Sequence, residues 1–204
     1  MEKLYLASAS PRRVELLTIL GIPFEQKISK VSEALPQGAE PGAYAEALAV
    51  AKARDVAMEL EEGLVIGADT IVVFEEEILG KPQDALDAIR MLRLLNGAKH
   101  QVISGVAVVN AKTGQEISSH EVTAVTFCSL ADEEILCYVG TGEPKDKAGA
   151  YGIQGIGAIL VKDICGCYNN VVGLPLTLLT QLLKNMGINV WSIIREEESW
   201  GGTT

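Results

Sequence analysis

The sequence predicts an α/β fold, a mixed twisted sheet with flanking helices. Three observations carry that expectation. Leu4–Ala7 and Leu64–Phe74 are short apolar runs that read as buried strands. Segments of helical character opening at Pro11, Pro41, Asp84 and Pro175 lie before and after them, each begun by a proline or a capping aspartate. Gln101–Asn110 and Gln115–Leu130 form a long hairpin turned at Lys112-Thr113-Gly114, which no purely parallel sheet contains.

The elements follow in order. A first helix over Pro11–Leu20 stops at Gly21-Ile22-Pro23, and an alanine-rich helix covers Pro41–Leu60. After the strand Leu64–Phe74, the acidic turn Glu75–Glu77 leads into a short strand at Ile78-Leu79. Gly80-Lys81-Pro82 breaks the chain before a helix over Asp84–Leu95, which Asn96-Gly97 ends. Beyond the hairpin the sequence predicts a short helix at Ala131–Val139, a strand at Ile156–Lys162, a helix at Pro175–Met186 and a last strand at Ile188–Ser192. The tail after Arg195 is polar and reads as frayed.

Composition narrows the function classes. With 204 residues, 48% of them hydrophobic and 22% charged, the chain has the balance of a globular protein with a real core. No repeat or linker divides it, so residues 1–204 are expected to form a single domain, with room for two intimate lobes. A net charge of −10 excludes a broad nucleic-acid footprint, which needs a basic face. No apolar run has the length of a membrane span, and the chain opens on a strand and a polar turn instead of a signal peptide, so a cytoplasmic location is expected. Cys128, Cys137, Cys165 and Cys167 are too scattered for a disulfide scaffold, and with only His100 and His120 a structural zinc site is not expected.

Three segments carry chemistry. In Ser8-Ala9-Ser10-Pro11-Arg12-Arg13, Ser10 is the natural N-cap of the first helix. Arg12 and Arg13 then fall in its first turn, where the helix dipole opposes cations. Two solvated surface arginines would account for this at little cost. A bound anion would resolve the conflict, since helix N-terminal amides and guanidinium groups both bind phosphate. In Val65–Phe74, Asp69 interrupts an apolar strand, a position that costs several kcal/mol unless the carboxylate is paired or bound to a metal. Gly67-Ala68 leaves room for something to approach closely, and Thr70 points to the opposite face from Asp69.

The third segment is Lys145-Asp146-Lys147-Ala-Gly-Ala-Tyr-Gly-Ile-Gln154-Gly155, with two cations, an aromatic, an amide and several glycines. It is neither a P-loop nor a dinucleotide fingerprint. Gln154 has the paired donor and acceptor that suit a base edge. Lys81, between Gly80 and Pro82, is a cation in a rigid place. Lys52, in Ala51-Lys52-Ala53, reads from composition alone as part of a solvated helix face.

Taken together, Leu6–Arg13, Gly67-Ala-Asp-Thr70, Leu79-Gly-Lys-Pro82, Asp146–Gly155 and Asn170–Leu176 resemble the Maf family of nucleoside triphosphate pyrophosphatases, in the family's order and over most of the chain. The resemblance implies an elongated two-lobed α/β fold with a deep central cleft, akin to the inosine triphosphate pyrophosphatases. It implies hydrolysis of a nucleoside triphosphate to monophosphate and pyrophosphate with a divalent metal, Mg²⁺ or Mn²⁺, and a homodimer. Residue by residue, Asp69 matches the proton acceptor. Ser8, Arg13, Lys52 and Lys81 match the phosphate-binding and active-site groups, and Glu33 matches an acidic cleft residue that shares the metal with Asp69. Arg12, Thr70 and Gln154 match positions tied to base choice, and Lys147 falls within the same substrate-binding motif. The pattern is that of the branch acting on dTTP and UTP, modified pyrimidine nucleotides included. A second function, from another class, is a nucleotide-binding regulator of cell division or septum formation that does not turn its ligand over.

Overall fold

The fold is known from a computed structural model, which describes residues 2–32 and 40–197. Its strands are β1 (Leu4–Ala7), β2 (Glu25–Lys27), β3 (Leu64–Phe74), β4 (Glu77–Leu79), β5 (Lys99–Asn110), β6 (Glu116–Phe127) and β7 (Val161–Cys165). The helices are α1 (Pro11–Ile19), α2 (Pro41–Ala57), α3 (Ala85–Leu95), α4 (Asp132–Gly140), α5 (Tyr168–Val172), α6 (Leu176–Asn185) and α7 (Val190–Glu197). The sheet order is β2-β1-β3-β5-β6-β7, with β4 also on β3. β1 runs parallel to β2 and β3, and every other pairing is antiparallel. This is the expected mixed sheet.

Alternation along β3 sorts the core. Val65, Ile71 and Val73 face α2 and pack with Tyr44, Ala45, Leu48, Ala49, Ala53 and Val56. Leu64 and Ile66 face the other way, into a cluster built with α1, α6 and α7. Val72, further along the same face, joins a second cluster with Leu79, Leu92, Val102 and Phe127, under α3 and α4. Thr70 stands between these two clusters.

Helix α2 lies unusually close to the sheet. A Cβ at Gly67 would sit 2.1 Å from the Ala49 carbonyl oxygen, and one at Gly105 would sit 2.2 Å from the Ala45 backbone. What approaches the Gly67-Ala68 gap is thus the backbone of α2. Gly105 pairs directly with Asp69, so the two glycines flank the carboxylate.

The edge of β3 away from β5 is paired only at its ends. β1 covers Leu64–Ile66, and β4 covers Val72–Phe74. Among the described residues, 67–71 have no strand on that side. Both faces of β3 therefore open there onto a common cleft.

Two expected elements are different. Ile156–Lys162 is a 3₁₀ turn over Gly155–Leu160 that enters β7 only at Val161. Gly155 adopts φ +72°, outside the strand region, and the Glu143 carboxylate accepts the Ile156 and Gly157 amides that a strand pairing would need. Ile188–Ser192, read as a strand, instead opens α7 at Val190. Val190 and Ile193 are buried while Trp191 is 75% exposed, a helical spacing that a five-residue apolar run does not reveal.

His100 is buried beneath the second cluster, edge-on to Phe127 and Tyr151 at ring-centroid distances of 4.9 and 5.4 Å. Its Nε2 pairs with the Tyr151 hydroxyl at 2.7 Å. Burial pushes its pKa down from 6.5 to about 4. The unfolded chain then binds this proton where the folded one does not, so His100 destabilises the fold as pH falls from about 6.5 towards 4. Unfolding measured across that window should show His100→Gln losing less stability than the wild type, by up to about 3 kcal/mol for a shift of this size. Gly67→Ala should force α2 outward and cost about 1–3 kcal/mol, the usual range for overpacking, read as a fall of several degrees in Tm.

Candidate active site

The cleft has a volume of about 660 Å³, within the range of small-molecule sites. Every described residue singled out from the sequence lines it: Ser8, Arg12, Arg13, Lys52, Asp69, Thr70, Lys81, Lys147 and Gln154. Glu33 lies outside the described residues.

One wall is the turn from β1 into α1. Ser10 holds the N-cap position with extended backbone angles, but its hydroxyl makes no cap bond. The buried Ser8 hydroxyl serves the turn instead, accepting from the Ser10 amide at 3.2 Å. Pro11 starts α1 as expected. Arg13 is fixed on three sides: Nε donates to the Gly173 carbonyl (2.9 Å), Nη1 to Ser8 Oγ (3.3 Å) and Nη2 to Thr70 Oγ1 (3.0 Å). Arg12 points elsewhere and donates from Nη1 to Asp146 Oδ2 at 3.0 Å and from Nη2 to the Asp146 carbonyl at 3.4 Å. The two arginines that read alike in the sequence are held by different parts of the fold.

The floor is Asp69. Its Oδ1 accepts from Lys52 Nζ at 2.7 Å, and the two residues are only 5% and 7% exposed. The solvated helix face that composition suggested for Lys52 is overturned. The small residues beside it sink α2 into the sheet, and the lysine goes in with them. Each charge offsets much of the cost of burying the other. Its second oxygen makes no hydrogen bond among the described residues.

Thr70 points the other way, as the alternation required. Its hydroxyl meets Ser104 Oγ at 2.8 Å, and Ser104 donates to the Asn170 carbonyl at 3.2 Å. Asn170, fully buried, donates in turn to the Val102 carbonyl (3.0 Å) and to Thr123 Oγ1 (2.9 Å). A polar seam thus crosses the sheet between its two apolar clusters and ends at Arg13.

The opposite wall is the Glu143–Gly157 segment. Lys147 Nζ donates to the Glu143 carbonyl at 2.6 Å and to Asp146 Oδ1 at 2.8 Å. Burial raises the Asp146 carboxyl, but Lys147 and Arg12 outweigh that and hold it below the usual carboxylate range. Glu143 Oε1 accepts from Tyr138 Oη (3.0 Å) and the Gly157 amide (2.9 Å), and Oε2 from the Ile156 amide (3.0 Å). Gln154, between these anchors, makes no side-chain hydrogen bond among the described residues. Lys81 enters from the β4–α3 break and is exposed to the cleft.

Among the described residues no three His, Cys, Asp or Glu side chains form a metal cluster. The donor set nonetheless fits a hard cation of the magnesium type, which takes one or two carboxylates and completes its shell from phosphate oxygens and water. The second oxygen of Asp69 is such a donor. Sequence reasoning quoted the segments that hold Asp146, Asn170 and Gly173 without giving these three a role, and it missed Glu143 and Ser104 altogether. Ser104 carried the signal that exposed Asp69, a polar residue inside an apolar strand, and the Gly173 carbonyl carried none, since a main-chain group has no residue type.

Comparison with known proteins gives the chain its family. The family described as Maf-like protein matches residues 3–186. A dTTP/UTP pyrophosphatase of Moorella thermoacetica is 55% identical over 94% of this chain and 98% of its own. One of Desulforamulus reducens is 47% identical over 93% of this chain and 100% of its own. The structure of the Staphylococcus aureus Ham1 protein superposes with a TM-score of 0.52 at 14% identity, over 91% of this chain and 100% of that one, a likeness of fold. By the extent of the family match and the identity to these relatives, the chain belongs to the Maf family.

Proposed function

We propose that the protein is a nucleoside triphosphate pyrophosphatase that hydrolyses dTTP and UTP, with modified pyrimidine nucleotides in the same class, to the monophosphate and pyrophosphate. The observation that carries the reading is the buried Asp69–Lys52 pair at the open edge of β3, facing the Ser8–Arg13–Thr70 group across one cleft. The names of the relatives at about half identity support the substrate class.

In this mechanism Arg13, Ser8, Lys52 and Lys81 hold the triphosphate and neutralise the charge that builds on the leaving pyrophosphate. Asp69 orients a water at the α-phosphorus and accepts its proton as the new P–O bond forms. The bond from the α-phosphorus to the bridging oxygen breaks, and pyrophosphate departs. Asp69, with Glu33, would hold a Mg²⁺ or Mn²⁺ ion, which supplies further neutralisation of the phosphates when bound. Gln154, with Arg12 and Thr70, selects the base. A cytoplasmic location and a homodimeric state belong to the same reading. The net charge of −10 speaks against a nucleic-acid polymer as partner, and no helix among the described residues is long and apolar enough to cross a membrane.

Incubation of the purified protein with a panel of nucleoside triphosphates and Mg²⁺ should release pyrophosphate, fastest from dTTP and UTP. Release of orthophosphate would overturn cleavage between the α- and β-phosphates. Tight binding with no release would leave the protein as a non-catalytic regulator. Asp69→Asn should lower kcat by about a hundredfold or more, the scale of a lost general base, with a far smaller change in KM. Arg13→Ala should raise KM for every triphosphate alike, whereas Arg12→Ala should change the ranking of nucleotides.

A further inference from the structure

Asp146 is an acidic group in a cleft that has to receive a polyanion. Its charge opposes phosphate binding, so its place there needs a reason. The hydrogen bonds supply one. Arg12 brings both terminal nitrogens to Asp146, one to the carboxylate and one to the carbonyl. Lys147 takes the other carboxylate oxygen and continues to the Glu143 carbonyl. Glu143 clamps the Ile156 and Gly157 amides, just beyond Gln154. Gly157 is packed so tightly there that a Cβ would lie 2.2 Å from the Gly152 carbonyl, so the Gly152–Gly157 turn has little room to shift. A continuous polar chain therefore runs from α1, on one side of the cleft, to the turn that carries Gln154 on the other.

We propose that Asp146 is a positioning residue for nucleotide selection. It sets the distance between the α1 wall and the Gln154 turn without taking part in phosphate binding. The phosphates are common to all nucleoside triphosphates and are served by Arg13, Ser8 and the lysines, so rejection of the wrong base depends on the geometry of the remaining polar groups. A site built to hydrogen-bond one base edge discriminates well only when its donors and acceptors cannot follow a different edge. The Arg12–Asp146–Lys147 chain supplies that rigidity. This inference rests on the pyrophosphatase reading above.

The test is a set of steady-state measurements on the wild type, Asp146→Asn, Arg12→Ala and the double variant, with each nucleoside triphosphate in turn. The Asp146 side chain is about half exposed, and Asn keeps its size, so the fold should tolerate the change; thermal unfolding checks this. Asp146→Asn is expected to lower the ratio of kcat/KM between the preferred and the rejected nucleotides by about fivefold or more, a size typical of side chains coupled in one network. Loss of an opposing charge from the cleft should also lower KM, but for every nucleotide alike, so that the ratio reports selection alone. In the Arg12→Ala background the same substitution should change the ratio little further, since the two residues act as one unit. An unchanged ratio, an equal loss for all nucleotides, or effects of Asp146 and Arg12 that simply multiply would each overturn the proposal. A wild type that hydrolyses no nucleoside triphosphate would instead overturn the reading on which it rests.

Discussion

The site depends on how closely α2 lies against the sheet. Gly67 on β3 and Gly105 on β5 have no Cβ, and the backbone of α2 at Ala45 and Ala49 occupies that space. Ala49 and Ala53 continue the contact with the least side-chain bulk available. Only at this separation does Lys52 reach Asp69 at 2.7 Å while both stay out of water. A buried charge pair gives little net stability, because desolvation offsets most of the attraction. It fixes a carboxylate and an ammonium group in a place of low dielectric, where their field is strong. The apolar packing of α2 thus maintains an electrostatic arrangement that would not hold by itself.

The second constraint is the gap in the edge of β3. A strand normally offers its two faces to separate environments, so Asp69 and Thr70 would serve different sides of the molecule. Because β1 pairs with β3 only as far as Ile66 and β4 only from Val72, no described strand covers that edge between them, and both residues line one cleft. The end of β1 leads directly into the turn that carries Ser8, Arg12 and Arg13. Carboxylate, guanidinium and hydroxyl groups are assembled by what the sheet leaves unpaired.

Much of this was legible in the sequence. β3 agrees at both ends with the expected Leu64–Phe74, because an apolar run bounded by Gly63 and Glu75 has one consistent reading. Asp69 declared itself as a charge inside that run, and Thr70 followed from the alternation. The segments that misled were short or governed by distant partners. Ile156–Lys162 has strand composition, but Glu143 captures its amides, and nothing local signals that contact. Ile188–Ser192 is too short for its period to be read. Lys52 looked solvated because a helix with alanines on every side shows no hydrophobic stripe, and its depth depends on glycines in two other strands. Ser10 had the residue type of a cap, yet the neighbouring Ser8 carries the hydrogen bond.

The seam behind Arg13 carries a surface charge inward. Arg13 donates to the Thr70 hydroxyl, which lies 2.8 Å from Ser104 Oγ, and Ser104 donates to the Asn170 carbonyl. Thr70 has one hydrogen and two acceptors for it, Ser104 Oγ and, at 3.4 Å, the Gly173 carbonyl that Arg13 Nε also meets. Polar groups linked in this way polarise one another at low dielectric. A guanidinium at the cleft is thereby joined to groups in the middle of the sheet, and the interior of the protein is electrically continuous with its working surface.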